Sequence, residues 1–139
     1  MKITITTVSL TVDDVAASSA FFRAHLGYQE AMATPDFASL TRQDGAAADM
    51  VLLRRGTDVL PEAQRHQRAS GLIVAFTVDG IDAEDARLRA ENAPITMPLR
   101  TEPWGERLLQ LTDPNGVVVQ LVEWDHAATG TSATDVSAG

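Results

Sequence analysis

The residues best placed to do chemistry gather between Glu102 and Glu123, where the chain reads EPWGERLLQLTDPNGVVVQLVE. Trp104 and Gly105 stand where a β-rich run begins, so a large flat aromatic is set at a strand mouth with Glu102 and Glu106 on either side. An indole in that position can stack a planar ligand or close a core, and carboxylates beside it attract a cation. Gln120 adds a neutral amide on the following run. The histidines promise less. His25 falls in the last turn of a helical stretch, where the negative helix end accounts for it, and His66 and His126 lie in polar connecting and terminal segments. Three scattered histidines specify no Ser-His-Asp arrangement. With no cysteine there is no thiolate metal site, cysteine nucleophile or disulfide framework. Asp13 and Asp14 are adjacent carboxylates, but they directly precede a helical stretch and read as cap and turn residues.

The elements that must carry these groups follow from periodicity. Arg107 to Thr112 and Val117 to Val122 form a hairpin around Asp113-Pro114-Asn115-Gly116, in which Pro presets φ and Asn-Gly tolerates a positive one. Upstream, Ile3 to Val12 alternates as a strand, and Val15 to about Leu26 recurs at helical spacing before the stop at Gly27. Tyr28 to Ala33 is a weak strand, Phe37 to Arg42 a stronger one, and Met50 to Leu53 another. A polar stretch without periodicity then connects to a second beginning. There Ile73-Val74-Ala75-Phe76-Thr77-Val78-Asp79-Gly80 aligns without gaps on Thr7-Val8-Ser9-Leu10-Thr11-Val12-Asp13-Asp14. A helical stretch, Ile81 to Asn92, follows the second copy as one follows the first, so the chain is an internal repeat. One helix covers only one face of each sheet, and the other face must meet a second module, a ligand or a subunit. Length suits a single domain, 1–125, made of module one (about 1–54), a connection (55–70) and module two (about 71–125), followed by a disordered tail at 126–139.

The paired β-α-β-β-β halves, the TVSLTVDD and FTVDG strand-to-helix junctions, and the W-G then D-P-N-G hairpin resemble the vicinal oxygen chelate superfamily. That group holds glyoxalases, extradiol dioxygenases, fosfomycin-inactivating transferases and bleomycin-resistance proteins. The resemblance implies an α+β fold in which two βαβββ modules form a curved mixed sheet around a cleft, paired in a homodimer. It also implies a divalent metal held by His or Glu at the first strand of each half and on the last strands. Carried over position by position, those places hold Thr7, Ile73 and Gln120, with no ligand in Met50 to Leu53. Thr, Ile and a lone neutral amide do not make a site for a hard divalent ion. No catalytic residue, metal or cofactor is therefore expected. Phe37, Met50, Leu52 and Trp104 remain to line an apolar cleft, with Gln120 and Thr7 as polar contacts.

The expected activity is that of a non-catalytic binder, close in character to the metal-free bleomycin-resistance-like proteins, that sequesters an aromatic natural product or antibiotic. Alternatives are a metal-dependent lyase, isomerase or dioxygenase of the same group, and a structural or regulatory dimer without ligand. A formal charge of −8 disfavours nucleic acid, whose binding rests on Lys and Arg, and favours a neutral or cationic ligand. Ten of the eleven basic residues are Arg, as GC-rich coding produces, which agrees with a self-resistance role. No run reaches the length of a membrane span and the start lacks a signal-peptide core, so a cytoplasmic location is expected.

Overall fold

The computed structural model describes residues 1–124; the expected tail, with Asp125 and His126, lies outside the described residues. Two compact units emerge among the described residues, one of residues 1–72 with 113–117, the other of residues 73–112 with 118–124. Each holds a mixed four-stranded sheet and one helix, so the fold is α+β with two βαβββ modules.

In the first unit β1 (Thr7–Val12) pairs parallel to β4 (Asp49–Arg54), which pairs antiparallel to β3 (Phe37–Thr41), which pairs antiparallel to the edge strand β2 (Gln29–Thr34). Alternation alone extends β1 back to Ile3, but the ladder begins at Thr7, opposite Asp49, where β4 itself begins. Without a neighbour Ile3 and Ile5 stand exposed, because a strand needs a partner as well as a pattern. Helix α1 (Val15–His25) starts at Asp14, whose side chain accepts from the Ala17 amide at 3.0 Å. Asp13 has a different task, pairing with Arg55 at 2.9 Å and Arg68 at 3.6 Å. The helix buries Val15, Ser18, Phe21 and Phe22 over the sheet positions Leu10, Ala38, Leu40, Met50 and Leu52, all of which are buried. Each such Leu or Phe contributes about 2 kcal/mol when withdrawn from water. Gly27, at φ +70°, ends the helix, and the Arg42 guanidinium donates to the Leu26 carbonyl.

The second unit repeats this order. β5 (Ile73–Thr77) lies parallel to β8 (Val118–Trp124), which is antiparallel to β7 (Glu106–Thr112), itself antiparallel to β6 (Ile95–Thr101). Helix α2 (Ile81–Ala90) buries Ile81 and Leu88, and Leu109, Leu111, Val119 and Leu121 of the sheet are buried as well. Gly80 occupies its N-cap at φ +76°, a left-handed conformation suited to glycine, and brings no capping side chain. The Glu123 carboxylate takes that place, accepting from the Gly80 amide at 2.5 Å and the Ile81 amide at 3.3 Å. An anion at a helix N-terminus satisfies amides that have no partner within the helix.

The turn 113–117 belongs to the first unit. Asp113 accepts from the Asn115 amide at 2.9 Å, the Val117 amide at 2.8 Å and the Ser18 hydroxyl. Asn115 donates to Ser18 Oγ at 2.6 Å and to the Asp14 carbonyl at 2.7 Å, while its Oδ1 accepts from the Asp14 amide at 3.0 Å. Asp113, Asn115 and Ser18 are buried, and no buried side-chain N or O among the described residues lacks a partner.

Candidate functional site

Each helix covers one face of its sheet, and chemistry is available on the other. Directly opposed residues in a ladder share a face, so the registers define both open faces. In the first unit the open face carries Thr7 opposite Asp49, the row Ser9, Val51, Ser39 and Met32, and the row Thr11, Leu53 and Phe37. Thr7 and Phe37 therefore share this face. Met50 and Leu52, expected to line a cleft with them, point the other way and are 1% and 0% exposed beneath α1. Asp49, half-buried beside Thr7, is a polar open-face residue that sequence reasoning missed.

In the second unit the corresponding central row is Ala75, Gln120, Gln110 and Met97. Gln110 donates from Nε2 to Gln120 Oε1 at 2.9 Å, and both side chains are half-buried. Ile73 lies opposite Val118 on this face and is 53% exposed. Gln110 was not singled out from sequence; counting back symmetrically from a 113–116 turn sets it against Val119, whereas the turn closes between Asp113 and Val117, which shifts the register by one and sets Gln110 against Gln120.

Trp104 sits in the turn joining β6 to β7. The Glu102 amide donates to the Glu106 carbonyl at 2.7 Å and the Gly105 amide to the Glu102 carbonyl at 3.0 Å, closing the turn, and Gly105 takes φ +90°. The indole is 54% exposed, and its Nε1 donates to the Glu106 carboxylate at 3.2 Å, which orients the ring while leaving much of its surface to solvent. The two carboxylates differ. Glu102 is neutralised by Arg100 at 2.7 Å, whereas no ion pair of Glu106 is recorded among the described residues. Negative charge beside the indole is thus centred on Glu106, which lies opposite Trp124 at the end of the β7–β8 ladder.

The metal expectation can be tested on the donors present. Thr7, Ile73, Val51 and Gln120 occupy equivalent places in the two ladders, and they supply one hydroxyl and one amide. Among the described residues no grouping of three or more His, Cys, Asp and Glu side chains is disposed to hold an ion. This donor set does not fit the divalent metal that the resemblance implies. His25 packs edge-on against Phe21 at 5.5 Å between ring centres, at the end of α1.

Two four-stranded βαβββ sheets with a bare face in each define the class. The family model described as Glyoxalase/Bleomycin resistance protein/Dioxygenase superfamily matches residues 4–121, and the chain belongs to that superfamily. Among curated proteins none matches it. Among solved structures it is similar to a glyoxalase/bleomycin resistance protein/dioxygenase from Nocardioides, at 26% identity and TM-score 0.70 over 89% of this chain and 85% of that one. It also resembles lactoylglutathione lyase from Agrobacterium tumefaciens, at 20% identity and TM-score 0.68, over 88% of this chain and 94% of that one. TioX from Micromonospora sp. ML1 matches at 21% identity and TM-score 0.67, over 88% of this chain and all (100%) of TioX. The last two likenesses speak to the fold alone. No helix among the described residues is long and apolar enough to cross a membrane.

Proposed function

We propose that this protein is a non-catalytic member of its superfamily that binds a small aromatic, neutral or cationic molecule and withholds it from its target, as an antibiotic-sequestering self-resistance protein does. The observation that carries this reading is the donor set: the places expected to hold metal carry Thr7, Ile73 and Gln120, while the exposed indole of Trp104 is held by Glu106. An oriented aromatic surface beside one uncompensated carboxylate suits a flat ligand of neutral or positive charge. By itself, the open face of the first unit carries one aromatic, Phe37. We place the protein in the cytoplasm as a homodimer.

A metal-dependent lyase, isomerase or dioxygenase is the second reading, favoured by Asp49, a carboxylate beside Thr7. Calorimetric titration of chelator-stripped protein with Ni²⁺, Mn²⁺, Zn²⁺ and Fe²⁺ separates the two. The binder reading expects no stoichiometric uptake, together with quenching of Trp fluorescence by planar aromatic antibiotics that Trp104→Ala weakens about tenfold. Tight binding of one ion per chain overturns it.

A further inference from the structure

Gln110 and Gln120 face one another at the centre of the second unit's open face, joined by a single hydrogen bond of 2.9 Å. A pair of primary amides holds four N–H donors and two carbonyl acceptors, and one mutual bond consumes one of each. Whichever way the two amides are turned, one NH₂ group and one carbonyl oxygen remain unused by the pair. Among the described residues no further side-chain or backbone partner is recorded for either amide, and both are half-buried.

The fold does not require this pair. In the first unit the equivalent row is Ser9, Val51, Ser39 and Met32, against Ala75, Gln120, Gln110 and Met97 here. The same architecture is therefore built with Val51 and Ser39 where the second unit has two amides. The flanking residues also suit a ligand. Ala75 leaves room on one side of Gln120, and the thioether of Met97 adapts to varied shapes on the far side of Gln110.

We propose that the Gln110–Gln120 pair is the recognition element of the binding site, and that it selects ligands bearing an unsubstituted lactam or imide edge, a carbonyl next to an N–H. This inference rests on the small-molecule-binding reading and supplies its ligand class. The free NH₂ donates to the ligand carbonyl and the free carbonyl accepts its N–H. A ligand that covers the pair without making these bonds leaves half-buried polar groups unpaired, and that mismatch is what discriminates. Both amides are uncharged, so the selected edge is neutral.

The test uses the full chain and three probes of similar size: 2-quinolone, its N-methyl derivative, which lacks the N–H, and quinoline, which lacks the lactam. Calorimetry should show 2-quinolone binding at least about tenfold more tightly than either of the others. The double variant Gln110→Ser with Gln120→Val installs the first unit's pair, and it should bring all three affinities to within about twofold of one another. Equal affinity of the three probes for the unsubstituted protein overturns the lactam assignment and leaves the binder reading standing. Absence of binding by all three overturns both.

Discussion

Replacing Asn115 by Ala is the sharpest test of how the first unit is held together. The side chain makes three hydrogen bonds, donating at 2.6 Å to Ser18 and 2.7 Å to the Asp14 carbonyl and accepting at 3.0 Å from the Asp14 amide. At about 1 kcal/mol each the gross loss is about 3 kcal/mol. Asp14 is exposed and water can restore part of what its backbone loses, which lowers the expected cost to about 2 kcal/mol. For a domain of this size that corresponds to a fall in Tm of about 8 °C. Urea unfolding followed by circular dichroism gives the free energy directly. Asn115→Asp sharpens the comparison: it removes the NH₂ donor and places a second carboxylate beside buried Asp113, so it should cost more than Ala. A loss below about 0.5 kcal/mol for Ala, or an Asp variant milder than Ala, refutes the view that this amide ties the turn to α1.

Three further outcomes are expected. The Tyr28 hydroxyl donates to the Ala48 carbonyl at 2.7 Å, so Tyr28→Phe should cost about 1 kcal/mol near pH 7, read by urea unfolding. Burial, the largest influence, raises the Tyr28 pKa above its usual 10.0. The folded state therefore keeps the phenol neutral after the unfolded chain has begun to ionise, stability is lost as pH climbs from the ordinary value through the raised one, and the Phe variant should lack that alkaline loss. Hydrogen bonding from Arg107 leads the causes that lower the Asp82 pKa below 3.8. Wild type should accordingly exceed Asp82→Asn slightly in stability at neutral pH, and the gap should close in acid melts as pH falls through the lowered value and also at high salt. Asn92 adopts φ +55° just after α2, so Asn92→Gly should leave Tm unchanged or raise it by a few degrees.

The repeat, the element order and the hairpin were legible because each rests on local signals. Helical spacing around Phe22, β-branched alternation up to Val12 and the Asp-Pro-Asn-Gly turn all act within a few residues of themselves. Strand parity was not legible in β4. Asp49-Met50-Val51-Leu52-Leu53-Arg54 is apolar on both faces, so nothing local tells which face α1 will cover, and Met50 and Leu52 were assigned to the wrong side. The roles of Asp113 and Asn115 were missed for another reason. Their turn preferences account for the backbone, but their side chains bond Ser18 and Asp14, 95 to 101 residues earlier in the chain. Capping logic offered Asp13 and Asp14 alike for α1, of which Asp14 is the cap, and has no way to find Glu123 for α2, since that cap comes from 42 to 43 residues downstream.

Those distant caps bear on how the chain emerges during synthesis. The α1 junction is completed by Asn115, and the amides that open α2 wait for Glu123. In a nascent chain the Asp14 backbone waits 101 residues for Asn115 and the Gly80 amide waits 43 residues for Glu123, delays of several seconds at about 5–20 residues per second. The first unit is therefore complete only once residues 113–117 have emerged, and the start of α2 only once Glu123 has.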